Sequence, residues 1–233
     1  MQNYSSFGSN HAAVTPMTTT VMKRVYFKMT LGLLVTAFTA FWCASTASFM
    51  TFYLTHSWLM WVLIAAEFGI VIGLSGAIQK MSSSAASALF YLFAVINGLM
   101  FSTIFLAFSP DAIVKTFFIT AGTFGAMSVY GYFTDRDLSK MGTYLIMALF
   151  GLIIASLVNI FLKSSGLDWI VSIIGIIVFV GLTAWDTQQV KNMSQYATPD
   201  QAGRLSTIGA LSLYLDFINL FLYLLRFFGG SRD

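Results

Sequence analysis

Charge is scarce in this sequence. Aspartate, glutamate, lysine and arginine make up 9% of its 233 residues, where a water-soluble domain carries roughly 25%. A soluble fold would leave most of such a surface uncharged, and 58% of the residues are hydrophobic with a mean hydropathy of +0.80. The composition is that of a polytopic membrane protein. Cysteine is represented by Cys43 alone, inside an apolar run. That excludes an intrachain disulfide and leaves no thiolate cluster for zinc or redox chemistry. The histidines are His11, in the N-terminal segment, and His56, in the first loop. Pro16, Pro110 and Pro199 all fall outside the apolar runs, so the broken helices of transporters are not indicated. A formal charge of +3 would hint at nucleic acid in a soluble protein. Here basic residues gathered on the cytoplasmic side of a membrane account for it, and no nucleic-acid partner is expected.

What the sequence does contain is seven long apolar runs. Residues 1–22 are polar and rich in Ser, Thr and Asn, and read as a short disordered tail. The first run extends from about Met29 to Phe52, preceded by Lys23, Arg24 and Lys28. It is long enough to span and six more follow, so it reads as an uncleaved first helix rather than a signal peptide. The others are Trp58–Ile78, Ala85–Phe108, Ile113–Phe133, Thr143–Leu162, Leu167–Thr187 and Thr207–Phe228. Each has about 20 residues, the length that crosses roughly 30 Å of hydrocarbon. The runs are continuously apolar rather than alternating, which disfavours a β-barrel. The expected fold is all-α, a seven-helix membrane bundle in one domain over residues 23–233, with the lipid bilayer as its main partner.

Orientation follows from the basic residues. With the N-terminus inside, Lys23, Arg24, Lys28, Lys80, Arg136, Lys140, Lys191 and Arg204 lie on the inner side, and Lys115, Lys163, Arg226 and Arg232 on the outer. That excess predicts a cytoplasmic N-terminus and an outside C-terminus. The closing "GGSRD" carries no retention or lipidation signal, which favours a bacterial inner membrane over an endoplasmic reticulum address.

Ionisable residues inside the spans are costly and therefore informative. On the seventh helix Gly209, Ser212, Asp216, Asn219, Tyr223 and Arg226 are spaced 3, 4, 3, 4 and 3 residues apart, so they share one face. Lipid offers that face no hydrogen-bond partners, so it must look into the bundle. It reads either as a packing stripe with satisfied polar groups or as a polar pathway. The sixth helix has a weaker stripe of Ser172, Gly175, Phe179, Thr183 and Asp186. Asp186 falls near its inner end, and Asp216 lies about 13 Å along the seventh helix from the inner side. Consecutive helices are usually neighbours, so the two carboxylates are expected to meet in the inner half and share a proton. The plainer alternative pairs Asp186 with Lys191 or Lys80. Glu67, in the middle of the second span, is expected to pair with Arg226, whose long side chain can reach inward, the alternative being that it is protonated or faces a wet cavity.

Three enzyme classes are weighed and set aside. "GLSG", Gly73–Gly76, matches the nucleophile motif of rhomboid proteases, but no histidine follows in a later helix to act as base. Aspartates on helices six and seven sit in "TAWD" and "LYLD", without the GxGD and PAL motifs of presenilin-type proteases. A retinal protein needs a Schiff-base lysine in the seventh helix, and there is none. No enzymatic activity and no cofactor are expected.

"LTAWDTQQVK", followed some 20 residues later by "ALSLYLDFINLFLYLLRFFG", resembles the Bax inhibitor motif family of seven-helix membrane proteins. The "AAEFGIVIG" segment and the "DRDLSKMG" loop extend the resemblance from about Lys23 onward. The resemblance implies a pH-sensitive calcium leak whose sensor is an aspartate pair, here Asp186 and Asp216, which would also be transient oxygen ligands for calcium. Glu67 and Arg226 match further charged positions of bacterial members. Those members place an arginine near the inner end of the second helix, where it can bridge the aspartates and hold the pore closed. That position is Ile78 here, with Gln79 and Lys80 adjacent. Lys80 would offer a point charge where arginine offers a fork, so a weaker closed state is expected. The sign of the pH response depends on whether protonation breaks a latch or removes an ion-binding charge. Two other functions stay open: a non-conducting regulator binding a membrane protein partner through the tail or the Lys191–Arg204 loop, and a proton-coupled transporter.

Overall fold

The computed structural model describes residues 15–229, and every regular element among them is helical. The helices are α1 (Pro16–Ser45), α2 (Ala47–Thr55), α3 (Ser57–Ala77), α4 (Ser83–Phe101), α5 (Ile104–Ala107), α6 (Pro110–Phe133), α7 (Ser139–Leu162), α8 (Ser165–Gln195) and α9 (Pro199–Phe228). A 3₁₀ turn, Ile78–Lys80, follows α3. Seven of the helices are long and apolar enough to cross a membrane: α1, α3 with its 3₁₀ turn, α4 with α5, α6, α7, α8 and α9.

Three of these helices start in the same way. Each proline in the sequence is preceded by Ser or Thr, and each opens a helix: Pro16 in α1, Pro110 in α6 and Pro199 in α9. Proline suits the first helical position because its missing N–H would have no partner there, and the residue before it caps the helix. Thr15 Oγ1 accepts from Thr18 N at 3.1 Å and Ser109 Oγ from Ala112 N at 3.3 Å. At α9, Thr198 and Gln201 form a reciprocal capping box.

This capping corrects the expected boundaries. Residues 16–22, read as part of the tail, are the first two turns of α1, so Lys23, Arg24 and Lys28 sit within that helix. Residues 1–14 lie outside the described residues, and that part of the tail expectation with them. The first apolar run is two helices. Thr46 is extended (φ −101°, ψ 98°), and the hydroxyls of Ser45 and Thr46 donate back to the carbonyls of Phe41 and Trp42. Ser102 and Thr103 break the Ala85–Phe108 run similarly, donating to the carbonyls of Leu99 and Met100. The α8–α9 connection shrinks to Tyr196–Thr198 because both helices extend past the apolar runs. Outside the spans, Asp137 braces the start of α7. Hydrogen bonds from the Ser139 side chain and backbone hold its carboxyl below the usual carboxylate range.

Helix α9 is the most buried span and the centre of the bundle, packed against α8, α1, α6 and α4. Helix α7 packs on α8, and α3 on α4 and α2, leaving apolar faces such as Tyr144, Met147 and Phe150 outward. Lipid solvates such faces, so their exposure carries no cost. Close approach needs small residues: a Cβ on Gly131 of α6 would collide with the Ala184 carbonyl of α8.

Candidate functional site

The polar stripe of α9 faces α8, and the two helices run antiparallel along it. A Cβ on Gly209 would lie 2.9 Å from Val190, so this point of the stripe packs closely. Two turns further along α9, Asp216 meets Asp186. Two turns further, the Tyr223 ring stacks on Phe179 at 5.8 Å and covers Gly175, where a Cβ would come within 2.7 Å of the ring. At the far end Arg226 meets Asp168. The stripe is therefore a helix–helix interface in which most contacts are steric and one is a carboxyl pair. Asn219 Nδ2 donates to the Leu215 carbonyl of its own helix at 2.8 Å, and Ser212 is half-buried. Tyr223 is a packing ring.

The carboxyl groups of Asp186 and Asp216 come together across the α8–α9 interface. Two carboxylates offer acceptors alone, so a hydrogen bond between them would require a proton on one. Asp216 is 4% exposed and Asp186 is half-buried. No donor among the described residues reaches Asp216 Oδ2. The Thr187 hydroxyl beside Asp186 is likewise buried without a partner. No group of three or more His, Cys, Asp or Glu side chains forms among the described residues, so the pair stands as two carboxyls. Resident calcium sites use six to eight oxygens.

The expected cationic partners are elsewhere. Lys80, on the 3₁₀ turn, is exposed and has no ion-pair partner among the described residues, so it does not bridge the aspartates. Lys191 donates instead to the Tyr132 carbonyl at 2.7 Å and lies over that ring. Ile78, where the resemblance led to the expectation of an arginine, is a buried apolar contact. No basic side chain among the described residues is placed on the pair.

The Glu67–Arg226 pair is also corrected. Arg226 Nη1 donates to Asp168 Oδ1 at 3.4 Å, while Glu67 Oε1 is buried without a hydrogen-bond partner. Glu67 lies near Tyr214 of α9, and Arg226 is three turns further along that helix, about 18 Å away. Glu67 instead comes within electrostatic reach of Tyr53 and Tyr214. The Tyr214 hydroxyl is 2.7 Å from Thr36 Oγ1, which donates to the Ala94 carbonyl at 2.8 Å. With the threonine proton committed to that carbonyl, Tyr214 is the donor of the first bond.

One charged residue central to the bundle escaped the sequence reading. Lys28, taken for a flank of the first run, lies a dozen residues into α1. Its ammonium donates to Ser87 Oγ (2.9 Å), the Gly203 carbonyl (3.2 Å) and Thr207 Oγ1 (2.6 Å), joining α1, α4 and α9. All three acceptors are neutral. The Thr15-Pro16 start signal would have placed it inside the helix. Next to Asp216 along α9, Phe217 packs edge-on against Phe117 (5.6 Å) and Phe124 (5.5 Å) of α6, an apolar cluster beside the pair.

The sequence profile of the family described as Inhibitor of apoptosis-promoting Bax1 matches residues 18–233. The chain is 51% identical over 216 residues to the inner membrane protein YbhL of Escherichia coli K12, covering 91% of this chain and 92% of YbhL. An uncharacterized protein of Borreliella burgdorferi is 46% identical (91% and 92% covered). The uncharacterized protein RP147 of Rickettsia prowazekii is 45% identical (91% and 90% covered). With the seven-span bundle and the carboxyl pair in place, these matches show that the chain is a membrane protein of the Bax inhibitor-1 family.

Proposed function

We propose that the protein is a passive calcium leak of a bacterial inner membrane, gated by the proton shared between Asp186 and Asp216, with its N-terminus cytoplasmic. The observation that carries this reading is the meeting of two carboxyl groups, that of Asp216 buried, at the α8–α9 interface. With one proton in place the pair is a contact that ties α8 to α9. Asp216, the more buried partner, is the natural holder of that proton, since charge costs less at half-buried Asp186. Removing the proton leaves two negative charges in contact. At about 4 Å and an effective dielectric near 20, they repel by roughly 4 kcal/mol. No cation on the pair offsets that repulsion, so the helices separate or a divalent cation enters between the carboxylates.

In this reading the arrangement is a closed state. The Phe117–Phe217–Phe124 cluster lies beside the pair, and an apolar barrier of this kind gates by excluding water. Because the proton stabilises the closed interface, flux rises with pH. The location in the inner membrane rests on the name of the E. coli relative, and the orientation on the basic residues of the Lys23 end.

The test is calcium flux into proteoliposomes across pH, with wild type, Asp186→Asn and Asp216→Asn. An amide donates to the remaining carboxylate without needing a proton, so each variant is expected to stay closed where wild type opens. Identical pH profiles in all three proteins would sink the gating role.

A further inference from the structure

We propose that the cleft between α1 and α6 is a binding site for an anionic phospholipid of the leaflet at the Lys23 end, with an acyl chain in the cleft and the phosphate on Lys23. Both helices pack on α9 but make little contact with each other. The space between them is about 640 Å³, in the size range of small-molecule sites. Tyr26 and Met29 of α1 and Phe124 and Ser128 of α6 line it. Its rim residues Val129 and Phe133 are strongly exposed, so it opens sideways to the membrane.

Two observations distinguish this cleft from ordinary lipid-facing surface. The first is Ser128, 5% exposed, a residue of the cleft wall whose hydroxyl is buried with no hydrogen-bond partner among the described residues. A buried hydroxyl without a partner is uncommon, and rotation about its χ1 would let it donate to an ester carbonyl of a lipid in the cleft. The second is charge. Lys23 is the one ionisable ammonium on the lining, no acidic side chain lines the cleft, and Arg24 follows it on the exposed surface. Lys23 has no ion-pair partner among the described residues. An unneutralised cation at the mouth of an apolar cleft selects an anionic headgroup over a zwitterionic one.

Gly125 provides the means to close the site. It lines the cleft, and a Cβ added there meets nothing within 4 Å. Gly125→Leu would therefore fill the space without displacing the backbone. Native mass spectrometry of the detergent-solubilised full chain, titrated with phosphatidylglycerol or phosphatidylethanolamine, reads the site. Wild type is expected to retain phosphatidylglycerol in preference. Lys23→Gln should reduce that retention about fivefold, the effect of one basic residue at a membrane surface. Gly125→Leu should lose the bound lipid of either kind. Lys23 is exposed, so its variant keeps the test valid even if Gly125→Leu does not fold. Equal retention of the two lipids by wild type, or undiminished phosphatidylglycerol binding in Lys23→Gln, overturns the proposal. Binding seen only after removal of residues 1–14 overturns it in favour of the chain's own N-terminal segment as occupant. Lipid retention is read without ion flux, so the result is independent of the leak reading.

Discussion

Arg226 of α9 holds Asp168 at the start of α8, with Nη1 and Oδ1 3.4 Å apart, and it stacks its guanidinium over Tyr223 at 5.6 Å. The pair closes the far end of the α8–α9 interface. It also leaves Glu67 outside that ion-pair network. Both side chains are 44% exposed, so the pair is worth little by itself.

A double-mutant cycle tests this assignment. Asp168→Asn with Arg226→Gln should give a coupling of roughly 0.5 kcal/mol in thermal unfolding. Glu67→Gln with Arg226→Gln should give none. A larger coupling in the second cycle would restore the pairing expected from the sequence.

Lys28 should matter more to stability than any other cation in the bundle. Lys28→Met removes the shared donor from Ser87, Gly203 and Thr207 and is expected to destabilise the protein by about 2 kcal/mol. Lys80→Met, on the exposed turn, should leave the melting temperature within error. Equal effects of the two substitutions would refute the assignment of Lys28 as the tie between α1, α4 and α9.

Two glycines separate interface from lipid face. Gly131→Ala forces a methyl into the Ala184 carbonyl, and backbone cannot yield cheaply, so a loss of about 1–3 kcal/mol is expected. A Cβ on Gly151 of α7 meets nothing within 4 Å. Gly151→Ala should stabilise its helix by up to about 1 kcal/mol. Melting temperatures moving in opposite directions would confirm that α6 and α8 touch through backbone.

The aromatic barrier predicts a gain of leak. Phe217→Leu keeps the position apolar but removes the ring that meets Phe117 and Phe124. Calcium flux at low pH, where wild type is expected to be closed, should rise several-fold. Unaltered flux would place the barrier elsewhere.

Much of this was legible in the sequence because hydrocarbon imposes simple rules. Backbone groups must be paired within each span, so seven apolar runs of about 20 residues mean seven helices. Polar groups must avoid lipid, so the 3.6-residue spacing from Gly209 to Arg226 identified the inward face of α9. The meeting of Asp186 and Asp216 followed from that face and from consecutive helices packing as neighbours. The three Ser/Thr-Pro pairs also marked helix starts, although hydropathy alone put all three prolines outside the helices.

The sequence by itself determined the number of spans, the all-α class and which face of α9 turns inward, since each depends on local periodicity against an apolar solvent. Tertiary structure alone decided the partners. Whether Arg226 reaches Glu67 or Asp168, whether Lys80 or Lys28 enters the bundle, and whether Tyr223 is a polar contact or a packing ring depend on helix adjacency. Adjacency is set by close packing at small residues such as Gly131 and Gly175 and by where each helix starts, and hydropathy carries neither. For the same reason, the cleft between α1 and α6 exists only because α9 separates two helices that the sequence presents as equally apolar.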